Sequence, residues 1–350
     1  MDSEAALAEL ERLLSQIKSE SGLDVAGLAP PPRSKATAVR TGIEALDEAL
    51  SEMSGSDRPL LELLGLAGSG KTQAVYRICA TTAMARSIEV KDSASNTQTV
   101  SIGGYEAHTL LVDVDGKASM RQLAQYVRVQ IKDALSHVSL DSDKAEQTVD
   151  VEVGRALGRI HVFAPSTTQA LIATLAMLPK YVAERGIDVG ALLIDGLGSA
   201  YWLDRKEAVH MRLGSKRATP WFRLQQLLVD TLQLALRRLD CLAVVTSLLL
   251  LPALDPASRP LSQDPPPGPD APASSQPRVI EAQHGEYRDH MIHRWASVVS
   301  RSFVLAARPG GDALTHLTFT PVSRRRQQQH TRPSSHVAQI GCHGLHASTA

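Results

Sequence analysis

The sequence predicts an α/β fold in which a mainly parallel central sheet is flanked by helices. Two patterns carry this prediction. Five apolar runs rich in Leu, Val and Ile, at 60–64, 109–114, 159–164, 191–195 and 241–247, show little alternation, as strands covered on both faces do. Segments with helical spacing lie between them, at 73–85, 119–137, 168–185 and 221–239; strand–helix alternation of this kind implies right-handed crossovers. A third observation anchors the first strand. Leu60–Leu64 runs directly into Gly65-Leu66-Ala67-Gly68-Ser69-Gly70-Lys71-Thr72, which matches the phosphate-loop pattern G-x-x-x-x-G-K-[ST].

From the N-terminus, Leu7, Leu10, Leu13, Leu14 and Ile17 form one apolar stripe at helical spacing within residues 3–19. Such a stripe must bury itself, either on the chain's own core or on a partner. Gly22–Arg33 ends in Pro30-Pro31-Pro32 and reads as a linker. Residues 1–40 are therefore read as a helix plus Pro-rich linker, and 41–350 as the core. Residues 87–108 and 139–150 are polar without periodicity and read as insertions or mobile loops. The helix at 168–185 contains Pro179, which is expected to kink it. The helix at 221–239 aligns Leu224, Leu228, Leu232, Ala235 and Leu239 on one face. Residues 252–277 are dense in Pro, Ser and Asp and are expected to be a disordered insertion. Two further strands are expected at 301–306 and 314–320.

Composition narrows the function classes. The formal net charge is zero, so no global field points to nucleic acid. A local bias exists from Arg278 to Ala350, with nine arginines against four acidic residues, three of the arginines being Arg324-Arg325-Arg326. Aromatic residues make up only 4 % of the chain, so the core must rest on aliphatic side chains. Three widely spaced cysteines, Cys79, Cys241 and Cys342, form neither a disulfide framework nor a Cys-rich zinc site, and fit a reducing compartment. The acidic N-terminus has no secretory h-region. No apolar run is long enough to span a bilayer, so no membrane association is expected.

The chemistry sits in the loop. Glycines let the backbone curl with its N–H groups facing an anion, and the following helix adds its dipole. Residues Gly65, Leu66, Ala67, Gly68, Ser69, Gly70, Lys71, Thr72 and Gln73 are the candidate nucleotide contacts, for ATP. Lys71 can reach the β- and γ-phosphates and Thr72 can sit on Mg²⁺. A second carboxylate must help hold the cation. Ala191-Leu192-Leu193-Ile194-Asp195 ends an apolar run on Asp195, the candidate second metal residue. Hydrolysis also requires a group that orients or deprotonates water. Gly196 follows Asp195, so the neighbouring acid of many ATPases is missing there. Asp115, in Asp113-Val114-Asp115-Gly116, is the candidate base; the alternative is a strand-end Asp that caps the helix after Ser119.

The segment Gly65–Gln73, ending GKTQ, resembles the Walker A motif of the RecA-type recombinases of eukaryotes and archaea. Thr41-Gly42-Ile43-Glu44-Ala45-Leu46-Asp47 is similar to that family's T-G-x-x-x-L-D motif. LLIDGLGSAYWLDR (192–205) and RIHVFAPSTTQALIATL (159–175) resemble recombinase paralogues, as does the set Tyr287, Arg288 and Trp295. HVAQIGCHGLH resembles the final hairpin of the family, with Gly344 in its turn. The resemblance spans about residues 41–345. It implies a single RecA-like core without the family's N-terminal double-helix-binding domain. It also implies a nuclear mediator of double-strand break repair by homologous recombination, working with another recombinase paralogue in a heterodimer or Shu-type complex. The further partners would be the recombinase itself and single-stranded or branched DNA, reached through the complex. The readings from another class are a DNA-stimulated strand-exchange ATPase and a nucleotide-independent scaffold.

Departures from the family pattern point to weak catalysis. Asp115 stands where recombinases place Glu, shorter by about 1.5 Å. Leu248 stands where a γ-phosphate-sensing Gln is expected. The stretch 252–277 has one Arg and no Lys, a poor match to a phosphate backbone. At most a weak DNA-dependent ATPase is expected. The groups His284, His290, His293 and His336, Cys342, His343, His346 lack zinc-finger spacing, and no G-x-S-x-G nucleophile occurs.

Overall fold

The structure is a computed structural model; it describes residues 39–53, 59–91, 97–138, 142–201, 203–204, 220–249, 277–282, 285–292, 294–309, 315–322, 336–341 and 344–347. The elements, in order, are α1 (Glu44–Glu52), β1 (Leu60–Gly65), α2 (Lys71–Ala83), β2 (Ser87–Lys91), β3 (Thr97–Ser101), β4 (His108–Asp113), α3 (Met120–Leu135), α4 (Ser142–Gly158), β5 (Ile160–Phe163), α5 (Thr168–Arg185), β6 (Val189–Asp195), α6 (Pro220–Leu239), β7 (Leu242–Leu248), β8 (Pro277–Ala282), β9 (Gly285–Ile292), α7 (Trp295–Val298), β10 (Arg301–Pro309), β11 (Thr315–Pro321), β12 (His336–Gly341) and β13 (Gly344–Ala347).

The main sheet runs β13-β12-β11-β10-β1-β7-β6-β4-β5. Its six strands from β10 to β5 are all parallel, and β11, β12 and β13 extend it antiparallel. The expected α/β class with a mainly parallel sheet is therefore the observed one. All six residues of β1 and all seven of β6 are buried, which is why these runs lack alternation. Neighbouring residues nevertheless go to opposite layers. Leu61 and Leu63 of β1, Leu111 of β4, Leu193 of β6 and Val244 of β7 pack with α1 to α4. Leu60, Leu110, Val112, Leu192, Ile194 and Val245 pack with α5, α6 and Trp295 of α7. The sheet is the middle of three layers.

The expectations that failed did so for local reasons. Residues 87–108 are not an unstructured insertion. They contain the hairpin β2–β3, whose Ile88 pairs with Val100 and whose Ile88, Val90 and Val100 are buried in the α1–α4 layer. The alternation is only five residues long on each strand and its other face is polar, so it reads as loop. Likewise most of 139–150 belongs to α4, which continues to Gly158. Its buried Val149, Val153 and Ala156 are spaced i, i+4, i+7, a stripe that begins only where the polar stretch ends. By contrast, the helix expected at 168–185 is found as α5, with Pro179 inside it. The final hairpin expected from the resemblance is present as β12–β13, with Gly344 opening β13 opposite Gly341. The helix expected at 3–19, the insertion expected at 252–277 except for Pro277, which opens β8, and Arg324-Arg325-Arg326 lie outside the described residues.

The T-G-x-x-x-L-D segment proves to be a self-contained clasp. Asp47 of α1 accepts from the Thr41 amide (2.6 Å), the Thr41 hydroxyl (2.8 Å) and the Gly42 amide (3.2 Å). Gly42 has φ +72°, and a Cβ there would stand 2.7 Å from Thr81 Oγ1 of α2. The motif closes the chain onto α2, the helix that follows the glycine-rich loop after β1.

Candidate functional site

In a parallel sheet the ligand crevice lies beyond the carboxyl ends of the strands, where chain direction across the sheet switches. Here β1 sits between β10 and β7, and the ends of β1, β4, β6 and β7 converge on one rim. Glycine makes the loop after β1 possible. A Cβ at Gly65 would meet Ser69 Oγ at 2.2 Å and the Leu305 carbonyl at 2.8 Å, while Gly68 and Gly70 have φ of +76° and +87°, a region that L side chains rarely adopt. Gly70 is the N-cap of α2, so the helix begins at Lys71 with its free N–H groups turned to the loop. Leu66, Ala67 and Gly68 are exposed at the crest and Ser69 is buried beneath it.

Lys71 folds back under this loop. Its Nζ donates to the carbonyls of Gly65 (2.9 Å) and Leu66 (2.8 Å) and to Ser69 Oγ (3.3 Å). Burial lowers its pKa to about 8, although Asp195 and Asp115 pull in the opposite direction. The ammonium is thus held near the loop without a full counter-charge, ready for an anion.

Asp195 ends β6 at 7 % exposure. The Thr72 hydroxyl donates to its Oδ2 at 2.8 Å, and the Thr246 hydroxyl of β7 donates to its Oδ1 at 2.5 Å. The same Thr246 oxygen accepts from the Gly196 amide at 2.8 Å. Burial raises the Asp195 pKa; the two threonine bonds oppose this, and Asp115 and Asp113 add to it. The two sequence-predicted metal residues, 123 positions apart, are in direct contact. A hydroxyl and one carboxylate suit Mg²⁺, which keeps several water and phosphate ligands. No group of three or more His, Cys, Asp or Glu able to hold a metal occurs among the described residues.

Gln73 is placed differently from the rest of its group. Its Oε1 accepts from Tyr126 Oη of α3 at 2.5 Å, so the side chain ties α2 to α3, and the backbone is what it has to offer a ligand. Tyr76, one turn on, accepts from the Ser119 amide at 2.6 Å. Ser119 itself caps α3, accepting from the Gln122 amide at 3.3 Å. The capping alternative for Asp115 is thereby excluded. Asp115 instead contacts Ser199 Oγ, and Lys117 reaches its Oδ2 at 3.3 Å. Its neighbour Asp113 serves the loop, accepting from the Ala118 amide at 2.6 Å. Leu248 stands in register with Gly65, 40 % exposed, with no polar group to turn toward a phosphate.

Sequence reasoning missed Thr246, Ser199 and Glu62. Thr246 was legible only as a polar interruption at the end of an apolar run. Glu62 is a fully buried carboxylate in the middle of β1; it accepts from Trp295 Nε1 (2.5 Å) and Ser302 Oγ (2.6 Å). These bonds tie the strand that carries the loop to α7 and β10.

Comparison with models of known protein families finds no match, and comparison with curated proteins finds none either. Among the described residues, no helix is long and apolar enough to cross a membrane.

Proposed function

We propose that this chain binds ATP with Mg²⁺ at the rim formed by β1, β4, β6 and β7. The observation that carries the reading is the 2.8 Å bond between Thr72 and Asp195, which joins the end of the phosphate loop to the acid at the end of β6. Lys71 would face the β- and γ-phosphates, the Gly65–Gln73 backbone would cradle them, and Thr72 with Asp195 would hold the cation. Asp115 is the candidate base. It is short for that role, and a base displaced by about 1 Å can cost on the order of 10²-fold in rate. Leu248 cannot sense the γ-phosphate. The site is therefore read as one that binds ATP well and hydrolyses it slowly.

The wider role rests on the family resemblance. We infer a RecA-like recombinase paralogue that acts in the nucleus as a mediator of homologous recombination, paired with another paralogue and assisting the recombinase on single-stranded or branched DNA. Three measurements test these readings. Binding of a fluorescent ATP analogue should require Mg²⁺ and be lost in Lys71→Ala. Turnover should stay well below about 1 s⁻¹, the low end of typical enzyme rates, with or without single-stranded DNA. Affinity purification under native conditions should recover a recombinase or paralogue. Faster DNA-stimulated turnover would favour a strand-exchange enzyme; nucleotide binding unaffected by Lys71→Ala would favour a scaffold.

A further inference from the structure

The turn after Asp195 is built around the carboxylate of Asp115, although the two lie on different strands' ends. Ser199 Oγ is within hydrogen-bonding reach of both Asp115 Oδ1 and the Gly196 carbonyl (2.6 Å); its single proton goes to the carboxylate oxygen, the stronger acceptor of the two. Gly196 makes this approach possible. With φ of +84° and no Cβ, it leaves the space that a Cβ would fill at 2.6 Å from Ser199 Oγ, 2.9 Å from Asp115 Cγ and 3.0 Å from Asp115 Oδ1. The turn is itself pinned. The Ser199 amide donates to the Gly196 carbonyl at 2.9 Å, and the Gly196 amide is held by Thr246, the residue that also holds Asp195. One hydroxyl therefore connects the candidate base to the same scaffold that fixes the candidate metal carboxylate.

A carboxylate has about four lone-pair sites, so one bond from Ser199 leaves others open to water. The second contact, from Lys117, comes from a side chain 76 % exposed at 3.3 Å, an ion pair of the weak surface kind that an approaching ligand displaces at little cost. The Ser199 contact differs because its donor sits on a fixed turn. Asp has one methylene fewer than Glu and cannot reach by changing rotamer, so where its carboxylate is held decides how near it lies to an attacking water.

We propose that Ser199 is a positioning residue that holds Asp115 for proton abstraction during ATP hydrolysis. The proposal rests on the ATP reading above. In the step concerned, a water oxygen forms a bond to the γ-phosphorus while its proton passes to Asp115. The bond to the β,γ-bridging oxygen breaks with its electron pair staying on ADP, and the proton is then released to solvent. Ser199 donates to the carboxylate throughout and exchanges no atom.

The test is single-turnover ATP hydrolysis by the full chain, with nucleotide binding measured in parallel. Ser199→Ala is expected to lower the hydrolysis rate constant at least tenfold while the affinity for an ATP analogue stays within about twofold. Ser199→Thr, which keeps the hydroxyl, should recover most of the rate. In an Asp115→Asn background, Ser199→Ala should cost nothing further, because the two act as one unit. Equal rates for Ser199→Ala and wild type, or a full additional loss in the Asp115→Asn background, would overturn the positioning role and leave ATP binding standing. Wild type that binds ATP but shows no hydrolysis also overturns it. A wild-type chain that binds no nucleotide overturns both readings.

Discussion

Raising the pH from about 7 to about 9 should weaken ATP binding about tenfold, and Lys71 is the reason. In the free chain, burial lowers its pKa to about 8, so the ammonium loses its proton above that pH. A bound triphosphate places several negative charges beside Nζ and must restore the charged form, because an opposite charge nearby favours ionisation. Binding above pH 8 is therefore coupled to proton uptake. With a pKa of about 8, about nine-tenths of the chains carry the charge at pH 7 and about one-tenth at pH 9. The apparent affinity scales with that fraction, and the tenfold drop corresponds to about 1.4 kcal/mol. The nucleotide does not mask the effect, since a terminal phosphate titrates near ~6. The assay is calorimetric titration in two buffers of different ionisation enthalpy, which reports affinity and proton uptake together. Lys71→Arg supplies the control, because a guanidinium stays charged throughout. An affinity independent of pH in wild type, or the same slope in Lys71→Arg, would refute the reasoning.

Other outcomes follow from the same geometry. Asp195 has a raised pKa, so the folded chain binds a proton more readily than the unfolded one, and its ionised form burdens stability above the folded pKa. Asp195→Asn should accordingly keep or raise the thermal midpoint of the free chain at neutral pH, while a nucleotide analogue with Mg²⁺ no longer raises it; differential scanning calorimetry reads both. Thr246→Val removes the hydroxyl that pairs with the Gly196 amide and Asp195 Oδ1 and should cost about 1–3 kcal/mol in urea unfolding. Gly65→Ala, with its Cβ 2.2 Å from Ser69 Oγ, should abolish nucleotide binding while far-ultraviolet circular dichroism keeps its helical signal. Leu192→Ala, in the middle of a fully buried strand, should cost about 2–5 kcal/mol of stability and leave the affinity of the chains that remain folded unchanged.

How much of this was legible in the sequence depended on whether a feature is local. The phosphate-loop sequence pattern and Asp195 announce themselves because each closes a long apolar run, and a run buried on both faces has few other readings. Their contact could be anticipated only because a parallel sheet brings strand ends to one rim. Thr246 and Ser199 were silent. Each acts on a residue far away in sequence, Thr246 on Asp195 across adjacent strands and Ser199 on Asp115 across a gap of 84 residues, and neither carries a charge or spacing that advertises the role. The hairpin β2–β3 and the helix α4 were missed because both are half-exposed elements whose polar faces outweigh short apolar stripes. Gln73 was placed with the ligand by its position in GKTQ, yet its side chain answers to Tyr126, a partner on the next helix that the motif does not encode. The buried Glu62 shows the same limit from the core, since a lone acid within Leu60–Leu64 acquires its meaning only from Trp295 and Ser302.

The most direct test of the central claim is the thermal midpoint of the full chain with and without ATP and Mg²⁺, in wild type and Lys71→Ala. A site that binds MgATP stabilises the fold by about 2.7 kcal/mol at a ligand concentration of 100 times Kd. Wild type should show a clear rise that needs both ATP and Mg²⁺ and vanishes in Lys71→Ala. A midpoint that does not move in wild type, or that rises equally in both proteins, would contradict it.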